Sequence, residues 1–313
     1  MVAGGGKHTL LLRSDGKVIC CGKNEDRQCE IPVLETGVTY IQVSAGCMHS
    51  VLLLSNGEAI ACGCNKHGQL DIPALVDGLT YTQVAAGSFH TVLLRSDGRV
   101  FSSGCNDQRQ CNIPAFEKYV FCTQVAAGHL HTVLLLSDGN VIAYGFNSKG
   151  QCDIPGAGDG FTFTQVAAGN CHTVLLRCDG KVFVCGGYAG EPWHIPALDD
   201  GVVYTQVDAG TAHTVLLRSD GKVIACGCDL YGQCKIPVAE EGTCYMHVGA
   251  GDYHTVLVQS NGRAVACGDN SFGQCDIPAL EEDLFYMADV SVILLNATYD
   301  GSEFQFRKLN GDI

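Results

Sequence analysis

His8, His49, His90, His131, His172, His213 and His254 stand at one fixed interval of 41 residues. A strict period of this length marks stacked copies of one supersecondary unit, none of which can bury its apolar face alone. The same residue order surrounds each histidine. In the third copy it reads Gln83-Val-Ala-Ala-Gly-Ser-Phe-His-Thr-Val-Leu-Leu-Arg-Ser-Asp-Gly-Arg-Val-Phe-Ser-Ser-Gly104 and closes on Ile113-Pro114. Glycines lie three residues before each histidine (Gly5 through Gly251) and fourteen after it (Gly22 through Gly268), positions that suit a positive φ or a close approach of chains. Between them run two short apolar, β-branched segments joined by Asp-Gly or Asn-Gly, as at Asp97-Gly98 and Asn56-Gly57, the signal for a two-residue hairpin. Helical periodicity is absent. The Ile-Pro pair that ends every unit, from Pro32 to Pro278, has a proline with no amide to donate and belongs at a strand end or sheet edge.

A unit of this size carrying about four short strands has the dimensions of one propeller blade, and seven such units close a ring. The expected architecture is therefore all-β, a seven-bladed β-propeller of 41-residue repeats over residues 1–288. Residues 289–313 form a degenerate C-terminal hairpin of the same domain. Strands over 285–295 and 302–307 flank Asp300-Gly301 and complete or cap the closure between last and first blades.

At 46% hydrophobic and 17% charged, the chain has apolar surface for continuous burial, and no stretch is long enough to span a bilayer. Met1 leads into the first repeat with neither a basic nor an apolar leader segment, so no secretory or organellar address is expected. Nineteen cysteines invite a disulfide or metal reading, and the repeats offer a test. Cysteine recurs thirteen residues after the histidine (Cys21, Cys62, Cys185, Cys226, Cys267) and twenty-one after it (Cys29, Cys111, Cys152, Cys234, Cys275). In four repeats one member is Leu70, Ser103, Tyr144 or Trp193 while its mate stays cysteine, which a covalent pair or shared metal would not readily allow. Cys62-Gly-Cys64 and Cys226-Gly-Cys228 also lack the two-residue spacing of zinc ligands. The expectation is free thiols in small apolar sites, no metal, and a reducing intracellular compartment, cytoplasmic or nuclear. The histidine ring is read the same way. A residue repeated in every blade holds one blade to the next, because a binding site needs an asymmetry that a sevenfold feature does not supply.

Function is accordingly sought where the copies differ. They differ in two loops expected on one face, just before each histidine and just after the second glycine. Met48, Phe89, Phe146, Tyr188, Tyr231, Tyr253 and Phe272 gather there, and aromatic anchors on loops over a rigid scaffold suit a partner-binding surface. The bland alternative is that several cap the central tunnel or pack between blades. Repeat five departs furthest, since Gly187-Tyr-Ala-Gly-Glu-Pro-Trp193 brings the single tryptophan and the one extra proline. On the opposite face, loops after each Ile-Pro carry acid (Glu35, Asp77, Glu117, Asp159, Asp199, Asp200, Glu240, Glu241, Glu281, Glu282, Asp283), which Arg95, Arg99, Arg177, Lys181, Arg218 and Lys222 at the turns should partly offset. A formal charge of −14 argues against nucleic acid, whose phosphates call for a basic face, and favours a basic protein surface.

The run Val-x-Ala-Gly-x-x-His-Thr-x-Leu-Leu-x-Ser-Asp-Gly-x-Val, followed by Gly-x-Asn-x-x-Gly-Gln, resembles the repeat of the regulator of chromosome condensation family over nearly the whole chain. That resemblance implies a seven-bladed propeller. It also brings to mind the family's varied roles: guanine-nucleotide exchange on Ran, HERC-type ubiquitin ligation, ultraviolet-B reception and β-lactamase inhibition. Gly-Gln-Cys-Asp-Ile-Pro, as at Gly273 to Pro278, stands where the family has Gly-Gln-Leu-Gly, so the chain resembles a divergent, compact branch. The unbroken spacing leaves no room for the inserted wedge that the exchange factor is expected to use, and Trp193 alone cannot form a photoreceptor's tryptophan cluster. A ligase's catalytic domain would need a few hundred further residues, which leaves a substrate-recognition fragment of such a ligase as an alternative. No nucleophile elbow, phosphate-cradling loop or isolated carboxylate pair is found, so neither enzymatic activity nor a cofactor is expected. The reading is a non-catalytic protein-interaction module or scaffold subunit, within a large assembly or alone. A small GTPase is the less favoured partner.

Overall fold

A computed structural model describes residues 1–76, 78–116, 119–187, 194–287, 298–299 and 304–305. They form seven three-stranded antiparallel sheets, one per repeat. Blade one comprises β1 (Val2–Gly4), β2 (His8–Leu12) and β3 (Val18–Gly22), and blade seven comprises β19 (Tyr245–Ala250), β20 (His254–Gln259) and β21 (Ala264–Gly268). The inner strands of blades two to six begin at Tyr40, Tyr81, Cys122, Phe163 and Tyr204. Each inner strand contacts the next, and β1 contacts β19, so the ring closes. No helix among the described residues is long and apolar enough to cross a membrane.

Each blade has three strands where about four were expected. The Ile-Pro segment returns along the outside without joining a ladder. Its isoleucine amide bonds locally, as Ile31 N does to the Cys29 carbonyl at 2.9 Å, and its proline has no amide. Where the next inner strand starts with tyrosine, that residue tethers it, as Tyr81 Oη donates to the Pro73 carbonyl at 2.8 Å; Cys122 and Phe163 stand at that place in two blades. The turn geometry also differs from expectation. Gly16 N donates to the Arg13 carbonyl and Arg13 N to the Lys17 carbonyl, with Gly16 at φ 74°. That is a three-residue hairpin loop with a left-handed glycine, not a two-residue turn.

Middle strands such as His90–Arg95 are apolar on both sides because neighbouring blades cover both faces. One core cluster joins Val51 and Leu53 of blade two to Tyr81, Val84 and Leu93 of blade three. Two polar devices stitch the seams. His49 Nε2 lies 3.0 Å from Thr91 Oγ1, and that hydroxyl donates to the Gln69 carbonyl at 2.7 Å. The hydroxyl has one proton and gives it to the carbonyl, so the imidazole must be the donor and carries its proton on Nε2. Equivalent clamps run from His8 to Ser50, His90 to Thr132, His131 to Thr173, His172 to Thr214, His213 to Thr255 and His254 to Thr9. The blade-to-blade role expected of the histidines is what the structure shows, made through a hydroxyl of the next blade. Nearer the channel, Gln42 mimics a strand, accepting from Val84 N at 2.9 Å and donating to its carbonyl at 3.3 Å. The glycine before each histidine follows from this packing: a Cβ on Gly46 would lie 2.3 Å from the Gly87 carbonyl and 2.5 Å from its own blade's His49 ring.

The inner strand of blade one is assembled from two ends of the chain. Val2–Gly4 pair with Thr9–Leu11, while Tyr286 bridges Arg13 and Met287 N donates to the Leu12 carbonyl at 3.0 Å. Tyr286 therefore occupies in blade one the place that Tyr40 holds in blade two. Of the expected 285–295 strand, only 285–287 are described. Thr298–Tyr299 and Phe304–Gln305 pair with each other, and the Asp300-Gly301 connection lies outside the described residues.

Candidate protein-interaction face

The two variable loops do lie side by side. Lys23 N donates to the Lys7 carbonyl at 2.8 Å and Cys64 N to the Met48 carbonyl at 2.9 Å, which fastens the loop after the third strand to the one before the histidine. Among the described residues the longer loops are braced from within. Gln69 Oε1 accepts from His67 N and Asn65 Oδ1 from Leu70 N, and the same pair of bonds recurs at Gln110 and Asn106. Such loops present side chains from a fixed backbone.

Variable residues meet across seams. The second loop of one blade reaches the first loop of the next: His67 meets Phe89 at 5.5 Å between ring centroids, Tyr231 meets Tyr253 at 5.1 Å, and Phe272 lies under Lys7 Nζ at 4.4 Å and Lys23 Nζ at 5.5 Å. Phe89 also packs edge-on to His129 at 5.3 Å. Of the residues singled out from sequence, Tyr231 and Phe272 are exposed, whereas Met48, Phe89, Phe146 and Tyr253 are half-buried. Tyr188 and Trp193 lie outside the described residues. Leu230, 85% exposed beside Tyr231, was missed, although its place in a variable loop could have flagged it.

The channel mouth carries Cys47, Ser88, His129, Asn170, Thr211 and Asp252 at one repeat position. His129 Nδ1 and Ser88 Oγ are 2.8 Å apart. Burial, with the Asp252 carboxylate nearby, pushes the Cys47 thiol up to about 12, so it is no nucleophile at neutral pH. The channel's 210 Å³ falls below the roughly 300 Å³ at which small-molecule sites begin. No group of three or more His, Cys, Asp or Glu among the described residues could hold a metal ion.

The cysteine expectation needs correction. Cys20 and Cys29 form a disulfide, while the other seventeen are free. Cys20 stands one residue before the recurring position, which the repeat-by-repeat test did not consider. That test also paired the wrong partners. The Cys62 thiol donates to the Gln28 carbonyl at 3.6 Å across the seam, next to Cys29, and Cys21, Cys185 and Cys267 repeat this beside Cys275, Cys152 and Cys234. Burial pushes each of these four donor thiols to about 11.

On the opposite face the expected charge offset is smaller than the composition implied. Arg13, Arg95, Arg177 and Arg218 each fold back onto the aspartate of their own turn at 2.6–2.8 Å. Beyond these, Arg263 pairs with Glu240 at 2.9 Å and Arg218 lies 3.6 Å from Asp199, so among the described loop acids Glu35, Glu241, Glu281, Glu282 and Asp283 are left without an ion pair.

The regulator of chromosome condensation (RCC1) repeat matches residues 2–28, 40–69, 81–110, 122–151, 163–187, 204–233 and 247–274. The chain belongs to this repeat family. Among solved structures it is similar to yeast RCC1 (Prp20) bound to Kap60, with 21% identity, a TM-score of 0.66 and coverage of 80% of this chain and 78% of that one. It is also similar to human WBSCR16 (19%, 0.70, 82% and 86%) and to the CRINKLY ectodomain of the Arabidopsis thaliana receptor kinase ACR4 (21%, 0.68, 88% and 96%). These identities establish the fold alone. No curated protein matches the sequence.

Proposed function

We propose that this member of the RCC1 repeat family is a non-catalytic interaction module that presents its loop face to another protein. The observation that carries the reading is the sector from blade six to blade one, where Leu230, Tyr231 and Phe272 stand exposed on braced loops with Tyr253 and Lys7 packed against them. Exposed aromatics backed by ordered neighbours lose little conformational entropy on binding and serve as anchors. Met48, Phe89 and Phe146, half-buried in the same face, would frame the contact, and Tyr188 and Trp193 belong to the same expected loops. Guanine-nucleotide exchange on a small GTPase is the competing reading, supported by similarity to yeast Prp20p, whose binding properties to Gsp1p and histones are known.

Affinity capture from the native source, repeated with Tyr231→Ala and Phe272→Ala, tests the face. Loss of the same captured partner in both variants supports it, and unchanged capture in both overturns it. Nucleotide release from a small GTPase, with and without the chain, tests the competitor. Substantial acceleration would replace the scaffold reading by exchange.

A further inference from the structure

We propose that the turn face, opposite the loop face, holds a second docking surface: an apolar crescent at the ring closure that receives a basic protein segment bearing apolar side chains. Each inner strand begins with a residue wedged between two hairpin turns. Phe285 illustrates the position, packing on Gly262 of blade seven while its carbonyl accepts from Ser14 N of blade one at 2.9 Å. Two residues on, a β-bulge lifts one side chain out of the ladder, as between Tyr40 and Gln42. In blades three to six this second position is threonine, Thr82, Thr123, Thr164 and Thr205. At the closure it is Met246, Met287 and Ile41, of which Met246 is 51% and Ile41 44% exposed.

Phe285, between the turns of blades seven and one, is 50% exposed, and Cys244 Sγ lies 4.0 Å from Met246 Sδ. Contiguous exposed apolar groups rimmed by charge mark interaction sites. The occupant follows from that rim. Glu240, Glu241, Glu281, Glu282 and Asp283 are exposed beside the crescent. The cations of these turns each face an acid, Arg13 and Lys17 facing Asp15, Arg218 and Lys222 facing Asp220, and Arg263 facing Glu240 at 2.9 Å, which leaves Glu241, Glu281, Glu282 and Asp283 as the negative rim. At low ionic strength an electropositive partner is steered to such a rim, while leucine-like side chains fill the crescent.

The test uses the full chain and a fluorescein-labelled peptide of alternating lysine and leucine, read by fluorescence anisotropy. The double variant Ile41→Lys/Met246→Lys and the double variant Glu281→Lys/Glu282→Lys should each weaken binding by about tenfold or more. Asp229→Lys/Glu25→Lys on the loop face, an equal change of charge, should leave it within about twofold. All substituted side chains are exposed, and unchanged circular dichroism confirms that each variant is folded. Equal weakening by the loop-face pair, no weakening by either turn-face pair, or equal binding of an all-lysine peptide would overturn the proposal. Tyr231→Ala is a separate arm. Loss of native-partner capture with peptide binding intact sinks neither reading, and the reverse pattern removes only the turn-face site.

Discussion

The seam between blades two and three and the seam between blades seven and one share a histidine clamp but differ at the channel. In the first, Gln42 makes a two-sided bond to Val84, at 2.9 and 3.3 Å. In the second, the glutamine position holds His247, whose Nε2 reaches the Val2 carbonyl at 3.4 Å, and the strand it faces is built from two chain ends. The clamp is not weakened there: Thr9 Oγ1 lies 2.8 Å from His254 Nε2 and donates to the Gln274 carbonyl at 2.7 Å. Covalent continuity is thus not what holds a blade to its neighbour. Buried clamps and apolar clusters do that, the closing seam being held by the Thr9–His254 clamp, by Val2 and Leu11 packed with Val256 and Val258, and by Asp252 N donating to the Gly5 carbonyl at 3.0 Å.

Acid is the strongest way to break both seams at once. Burial lowers the seven clamp histidines from 6.5 to about 3 or 4. Unfolded, they take protons below pH 6.5; folded, they do not until about pH 4. The unfolded state therefore binds more protons in that window, and stability falls as pH falls, by up to about 1.4 kcal/mol per pH unit for each histidine. Asp208, raised by burial to about 6, and Asp252, also raised by burial, act in the opposite sense but are two groups against seven. Thermal denaturation followed from pH 7.5 to 4.5 should show a steep loss of Tm, and a flat profile would contradict the neutral buried clamps.

Deleting single clamps should come next in size. His254→Ala and His49→Ala should each destabilise by about 2–4 kcal/mol in denaturant titration, and the closing-seam variant should also raise hydrogen exchange in β1 selectively. Equal exchange in both variants would erase the distinction between the seams. Thr9→Val and Thr91→Val, which keep shape but strand an imidazole N–H and a carbonyl, should cost about 1–3 kcal/mol each in the same titration. Smaller still, Gln42→Ala should lose about 1 kcal/mol and His247→Ala a similar amount, because its long contact with the Val2 carbonyl is joined by a 2.9 Å bond between its Nδ1 and Gln206 Nε2. Tyr231→Ala on the loop face should change stability by no more than about 0.5 kcal/mol, so any lost capture reports on binding.

The two faces repeat the lesson at a larger scale. On the loop face, Tyr231 and Tyr253 pack on one another, while Phe89 packs on His67 and His129 and Phe272 lies under Lys7, so residues chosen from sequence are partly covered by neighbours that were not. On the turn face, Phe285, Met246 and Ile41 stand exposed where only acid and arginine had drawn attention. The threonine-to-methionine change at one repeat position was visible in the sequence. Its exposure was not, because a bulge rather than strict alternation decides where that side chain goes.

The period of 41, the glycines and Ile-Pro pairs, and the middle strands apolar on both sides determined by themselves that the chain forms seven equivalent sheets and that its histidines serve the seams. A repeat reports what each blade contains, but not which residue of the next blade it will face. That offset is set by packing: clamps and stitches join residues 42 apart, and hydroxyls reach carbonyls 22 residues away. Only the tertiary structure could therefore decide that Cys62 lies beside Cys29, that Cys20 is bridged, that Phe272 meets Lys7, and that Tyr286 and Val2 share one strand, since each contact arises where rigid sheets abut rather than along the chain.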